Sequence, residues 1–412
     1  MKISKLNKIY FLILSTSIFV GFYFGEDSSG SGGFIADFKN TLPYIDNLNI
    51  SLKNYFQEGV VHFPLHYYIE SKILFLFKDL DLLRFVYCII SLSVPLLFYN
   101  CLKIKFQNID TNNLFLFSLI IFLMPSFRSG AIWANSQLTA VIFFLIALFF
   151  YCKWEKNIQH SKFNIDLFLQ ILFMSLAVYS RQLYAFIFLY LVFIYYRKLN
   201  LKLFVFTCSI IFLFSLPGLY FVSLLPNTLT LTFTSQLQNS ILVNLSILSF
   251  YLIPIYFILI FFKKFRLDSF RNNHYIFISF LFIILLFLTF SFDYNYKLGG
   301  GFFIKLSIIL LDNLLLFYLT SFLGLFFCFC LCIENKENIL ILLLLIVGMT
   351  SYQIFQKYFE PMFFLTVFLI MQNKINQIFL NNKKFIYLLG SYFLIYLTSA
   401  ILNDVFRITK SL

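Results

Sequence analysis

The sequence predicts an all-α fold, a polytopic transmembrane helical bundle. Three observations predict it. The 412 residues are 61% hydrophobic and only 12% charged, against about 25% charged in a soluble domain. Apolar runs near the roughly 20 residues that a helix needs to cross a bilayer recur from end to end. These runs are continuous rather than alternating, and in lipid only helices and closed barrels satisfy their own backbone. No polar tract is long enough for a separate soluble domain, so residues 1–412 read as a single integral-membrane domain.

The elements follow in order. The start, MKISKLNKIYFLILSTSIFVGFYFG, lacks a small-residue cleavage site and is followed by many further spans. It reads as an uncleaved first helix, 9–25. Residues 26–81 are the longest polar tract and read as one large first extracytoplasmic loop. Within it, PLHYYIESKILFLF (64–77) is short for a span and carries Glu70 and Lys72. That pattern suits a juxtamembrane amphipathic helix lying in the interface. The further spans are expected at 83–102, 113–127, 136–152, 165–181, 183–196, 203–225, 242–262, 275–292, 313–332, 338–353, 359–372 and 385–402, about 13 in all.

Charge orients this arrangement. The net charge of +13 would suggest nucleic acid in a soluble chain; here it is topogenic, and no nucleic-acid partner is expected. With the N-terminus in the cytoplasm, the Lys/Arg clusters after residues 102, 152, 196 and 262 fall inside, as the positive-inside rule requires. Counting 64–77 as a span would turn those clusters outward. The seven cysteines lie in apolar runs and imply neither a zinc site nor a disulfide framework. The Lys/Asn/Ile/Phe-heavy vocabulary fits an AT-rich bacterial genome. The expected location is the inner (plasma) membrane, multi-pass, with the functional face periplasmic.

Charges at membrane depth are costly and are functional candidates by default. After threading, the unusual polar residues gather at the outer face. Glu26, Asp27 and Asp37 lie just past the first span, in GEDSSGSGGFIADF. His62 and His66 lie in VHFPLHYY, Arg128 in MPSFRSGAIWANSQ, Arg181 and Gln182 in YSRQLY, and Lys357, Tyr358 and Glu360 in QKYFEP. Each also has a plain reading. Arg128 can anchor a short helix at the headgroups, His62 can be an ordinary loop residue, and Lys357 and Glu360 can form a local i,i+3 pair. The DSSGSGG tract can be a simple connector. The joint pattern favours a pocket for an anionic lipid headgroup beside a base.

The order of parts resembles that of the C-type (GT-C) integral-membrane glycosyltransferases, which use polyprenyl-phosphate-linked sugars. The matching stretches are ADFKNTLPYIDNL, HFPLHYYIESKILFLF, DLLRFVYCIISLSVPLLFYNCLK and LIIFLMPSF…WANSQLTAVIFFLIALFFY. The RQ of SRQLYAF is similar to members that use dolichyl-phosphate glucose. The resemblance covers roughly residues 1–200. It departs from the family at Asp37, where Phe38 follows and an acidic pair is usual; the acidic pair here is Glu26-Asp27.

This resemblance implies transfer of one sugar from a polyprenyl-phosphate donor to an acceptor hydroxyl on a lipid-linked glycan, polysaccharide or protein. A carboxylate takes the acceptor's proton, and cations meet the leaving phosphate. Asp37 is the expected base, with Asp27 and Glu26 as neighbours or as the alternative base. Arg181, Lys357 and Arg128 are the phosphate candidates. His62, His66, Gln182, Tyr358 and Glu360 are expected to line the acceptor pocket. No cofactor is expected; three nearby carboxylates leave a divalent metal open without requiring one. The alternatives are a lipid-linked glycan transporter or flippase, which would need polar groups at the bilayer midplane, and an O-antigen-type polymerase or ligase, which usually carries its large outer loop late in the chain.

Overall fold

The computed structural model describes residues 3–29, 32–57, 62–156, 164–224, 233–264, 274–289, 292–296, 299–349 and 353–411. Among them every regular element is helical. In chain order these are α1 (Lys5–Phe24), α2 (Leu42–Ile50), α3 (Leu52–Gln57), α4 (Leu65–Phe77), α5 (Leu80–Ser91), α6 (Ser93–Lys105), α7 (Thr111–Ser118), α8 (Pro125–Ile132), α9 (Ser136–Lys156), α10 (Ile165–Ser180), α11 (Tyr184–Lys198), α12 (Leu201–Leu224), α13 (Phe233–Phe261), α14 (His274–Thr289), α15 (Gly301–Leu311), α16 (Leu315–Glu334), α17 (Asn338–Gly348), α18 (Met362–Leu365), α19 (Lys374–Leu380) and α20 (Lys383–Ser411).

The chain divides into two compact units, Met1–Leu229 with Gly390–Leu412, and Thr230–Leu389. Seven helical segments among the described residues are long and apolar enough to cross a membrane, or nine if each of two bent pairs is one span. Thirteen spans were expected, and several of the expected segments form shorter or bent helices. The expected 165–181, 183–196 and 338–353 segments form helices of 16, 15 and 11 residues, short of a straight crossing. The expected 113–127 span is a bent pair, Thr111–Leu123 and Pro125–Ile132, at 69°. Met124 is extended (φ −86, ψ 117), as a residue before proline prefers. The expected 359–372 segment belongs to a second bent pair, Gln356–Ile370 and Lys374–Leu380, at 103°.

In the first unit, Ser4 caps α1 by accepting the Asn7 N–H, a standard cap chemistry. The Asn7 side chain and the Ser4 N–H also bond to Asn112 O and Oδ1 at 2.8 and 2.7 Å, which levels the starts of α1 and α7. In α12 only 6% of the apolar window is buried, so this helix presents its surface to lipid. Pro217 removes an N–H from its ladder. The Tyr179 hydroxyl bridges the next rung, donating to Phe214 O and accepting the Gly218 N–H at 3.2 Å. Helices α2, α3 and α4 bury Ile45, Tyr55, Phe56 and Tyr67 together.

In the second unit α13 and α16 lie so close that a Cβ on Gly324 would strike Leu245 O. Small and polar side chains bind such interfaces in lipid. Ser321 Oγ donates to Leu242 O at 3.0 Å, and Asn244 Nδ2 reaches Ile346 O at 2.8 Å.

Candidate functional site

The site is built from the turn after α1. Gly25 ends that helix in the left-handed region (φ 66), where glycine costs least. Glu26 then folds back, its N–H donating to Gly21 O at 2.8 Å. Arg128 grips the Glu26 carboxylate with Nε at 2.9 Å and Nη2 at 2.5 Å. Its Nη1 and Nη2 also reach Ser17 Oγ and O at 2.8 and 3.0 Å. This is a buried fork-on-carboxylate pair, the two side chains 3% and 9% exposed. Arg128, a phosphate candidate in the sequence, is here paired with Glu26.

Asp27 organises the loop that follows. Its Oδ1 accepts from Ser29 Oγ (2.9 Å), Gly33 N (3.2 Å) and Ser129 Oγ (3.3 Å), and its Oδ2 from Phe34 N (3.1 Å). Its own N–H donates to the buried Asp404 Oδ2 at 3.0 Å. Gly33 is required for this closeness, since a Cβ there would collide with Ser129 Oγ and lie 2.8 Å from Asp27 Oδ1.

Asp37 rides on the wide helical turn Gly32–Phe38 and is half-buried. Its Oδ2 accepts the Asn135 amide at 2.7 Å. Asn135 is itself fixed at the head of α9, its Oδ1 accepting the Gln137 N–H at 2.9 Å and the Ser136 hydroxyl at 3.3 Å. One turn along the same helix, Thr139 Oγ1 lies 2.9 Å from His66 Nδ1. His66 Nε2 lies 3.2 Å from Glu70 Oε2, and the Tyr87 hydroxyl is 3.3 Å from both His66 Nδ1 and Thr139 Oγ1. His66 and Glu70 are buried.

Tyr67 follows His66 and joins these groups to α10. Burial pushes its phenol well above the ordinary range. Glu70 and Asp37 push the same way, and Arg181 opposes them. Asp37 and Arg181, remote in sequence, are therefore both within electrostatic reach of one hydroxyl. Arg181 is 5% exposed and ends α10, its N–H bonding Ala177 O at 2.9 Å. Beside it Gln182 Oε1 lies 3.4 Å from His62 Nδ1, and His62 O accepts the Tyr55 hydroxyl at 2.9 Å. Arg84 lies near the opening turn, with its guanidinium 3.8 Å from the Trp133 ring centroid and Nη1 2.8 Å from the exposed Asp81.

The remaining expected residues belong to the second unit. Lys357 sits in the tight turn Gln356–Tyr358 with its ammonium 5.2 Å from the Phe355 ring centroid, and Tyr358 meets the same ring edge-on. Glu360 is fully buried and accepts the Tyr251 hydroxyl at 3.1 Å. Among the described residues no group of three or more His, Cys, Asp or Glu is placed to hold a metal ion.

Sequence reasoning left Asn135, Tyr67, Glu70 and Asp404 out of the site. The i,i+4 spacing of His66 and Glu70 was a readable signal, because it puts both on one helix face. Asp404 carried none, since only the tertiary fold brings it to Asp27. Chemically, the first unit offers a held, half-buried carboxylate, a nearby guanidinium and a buried phenol among them. No protein-family model matches the chain, and no curated protein or solved structure is recognisably similar to it.

Proposed function

We propose that the chain is a membrane glycosyltransferase that moves one sugar from a polyprenyl-phosphate donor to an acceptor hydroxyl at the extracytoplasmic face. The single supporting observation is that the half-buried Asp37 carboxylate, held by Asn135 Nδ2 at 2.7 Å, and the buried Arg181 belong to the same compact unit. A transferase of this kind needs a base for the incoming hydroxyl and a cation for the departing phosphate. Asp37 is the base, held by Asn135. Arg181 is the phosphate cation, and its planar fork suits a phosphate monoester. Glu26, Asp27 and Arg128 shape the loop that carries Asp37. His62 and Gln182 flank Arg181 on the acceptor side.

The finer topology belongs to the same proposal. The N-terminus is cytoplasmic, residues 26–81 lie outside, and the short and bent helices complete about 13 membrane passages by tilting or pairing.

The test uses purified full-length protein with polyprenyl-phosphate sugars, reading release of the lipid monophosphate. Wild type releases it in the presence of acceptor. Asp37→Asn inserts and purifies normally but loses release by at least about 100-fold, within the range ascribed to general bases. Undiminished release by this variant would remove Asp37 as the base. Net movement of intact lipid-linked glycan across vesicles, without release, would favour a flippase.

A further inference from the structure

The function proposed above leaves Arg84, in the stretch DLLRFVYC, without a task. Its side chain is 11% exposed, near the head of α5. Nε donates to Ile132 O at 3.1 Å. That oxygen ends α8, where carbonyls have no partner within the helix. Nη1 reaches Asp81 Oδ1 at 2.8 Å, on a carboxylate 77% exposed. Nη2 is buried and has no hydrogen-bond partner among the described residues. Rings surround the guanidinium instead, with centroids at 3.8 Å for Trp133, 4.9 Å for Phe22 and 6.0 Å for Phe38. One turn along α5, Cys88 Sγ donates to Ala131 O at 3.4 Å. Two side chains of α5 thus hold consecutive carbonyls at the end of α8.

These contacts bear on one turn. Trp133 Nε1 donates to Glu26 O at 2.8 Å, and its ring meets those of Phe34 and Phe38 at 4.7 and 5.9 Å. Phe34 and Phe38 stand on the Gly32–Phe38 turn that carries Asp37. Ala134 comes next, with a φ of 48°. A residue with a Cβ keeps that conformation only where its surroundings over-determine it. Asn135 then delivers its amide to Asp37 Oδ2 at 2.7 Å. Arg84 bonds the residue two before Ala134 and stacks on the residue one before it. A phosphate role does not fit this guanidinium. A phosphate takes a fork of free N–H groups, whereas here Nε and Nη1 are engaged and Nη2 is sealed in.

We propose that Arg84 is a positioning residue for sugar transfer, its guanidinium clamping the 132–135 turn from which Asn135 holds Asp37. The assignment rests on the sugar-transfer reading. Arg84 moves no proton and meets no substrate; it acts through Trp133 and Asn135. The planar group is what the clamp needs, since it covers the indole face while its edge bonds Ile132 O. An ammonium carries the same charge but cannot do both.

The test uses purified full-length protein, reading release of lipid monophosphate at saturating donor and, separately, affinity for a synthetic polyprenyl phosphate. The variants are Arg84→Met, which keeps the stem, and Arg84→Lys, which keeps the charge; Asp81→Asn is the control. Both Arg84 variants lower turnover about 10-fold, a cost in keeping with a slightly misplaced base, and leave the affinity unchanged. Asp81→Asn leaves turnover unchanged. Arg84→Met combined with Asn135→Ala is no slower than Asn135→Ala alone, because both act through one contact. With Trp154→Phe as background, Trp133 is the one indole left of the chain's two, and Arg84→Met shifts its emission. Wild-type turnover in Arg84→Lys overturns the clamp, and so does an unmoved Trp133 emission. Multiplying losses in the double variant overturn the route through Asn135. Lost polyprenyl phosphate affinity in both Arg84 variants overturns positioning in favour of a phosphate contact. Each of these results leaves the wild-type transfer and the Asp37→Asn loss standing. Absence of transfer by the wild type overturns the sugar-transfer reading and this assignment together.

Discussion

Arg128 and Glu26 show how a buried charge can be structural. Each is the other's main partner, both are almost sealed from solvent, and removing one strands the other. Losing one member of such a pair typically costs about 3–5 kcal/mol. Arg128→Ala should therefore lower the thermal midpoint of the solubilised protein sharply, read by fluorescence-detected size exclusion after heating. Paired replacement of Glu26 and Arg128 by apolar residues should recover much of that loss. Gly33 supplies a second residue-scale expectation. Gly33→Ala places a methyl against Ser129 Oγ and Asp27 Oδ1, and overpacking of this kind costs about 1–3 kcal/mol. The measurement is the same midpoint, and a neutral result would mean the Asp27 loop can give way. The acidic stretch was legible as important, but the division of labour within it was not. Composition and spacing do not say which carboxylate meets an arginine, which meets backbone N–H groups and which stays accessible.

Among the elements, the break between α8 and α9 does the most for the site. Ala134 has positive φ there (48°), and the turn aims Asn135 at Asp37 while starting the helix that carries Thr139. The proline that ends the preceding segment was readable in the sequence, and so was the polar residue after it. The 69° bend was not, because a local rule fixes where a helix stops without fixing the direction in which the chain resumes. The α4 helix was legible as a separate piece from its length and its Glu70 and Lys72. That His66 and Glu70 would be buried was hidden, since burial depends on Tyr87 and Thr139 arriving from two other helices. Asn135→Ala should leave the fold intact and reduce transfer by about 10-fold through misplacement of Asp37, with little change in polyprenyl phosphate affinity. Comparing that affinity with turnover separates positioning from binding.

At the scale of the whole molecule, hydropathy established the helical membrane class and charge suggested its orientation. Counting spans was harder, because a broken helix and a whole one can have the same composition. Orientation can be tested directly. Asp46→Cys, on the exposed face of α2, should react with an impermeant maleimide applied from outside. Asn108→Cys, between α6 and α7 and also exposed, should react only after permeabilisation. The reverse labelling would put Asp37 on the cytoplasmic face and exclude an extracytoplasmic donor.

The phenol of Tyr179, inserted between Phe214 O and the Gly218 N–H beside Pro217 in α12, works like a splice. It joins two stretches of one helix through a side chain of another, only two residues before Arg181. That hydroxyl ties α12 to the end of α10. Anything that straightens α12, whether a thicker bilayer or removal of that hydroxyl in Tyr179→Phe, should tug on the guanidinium from a distance.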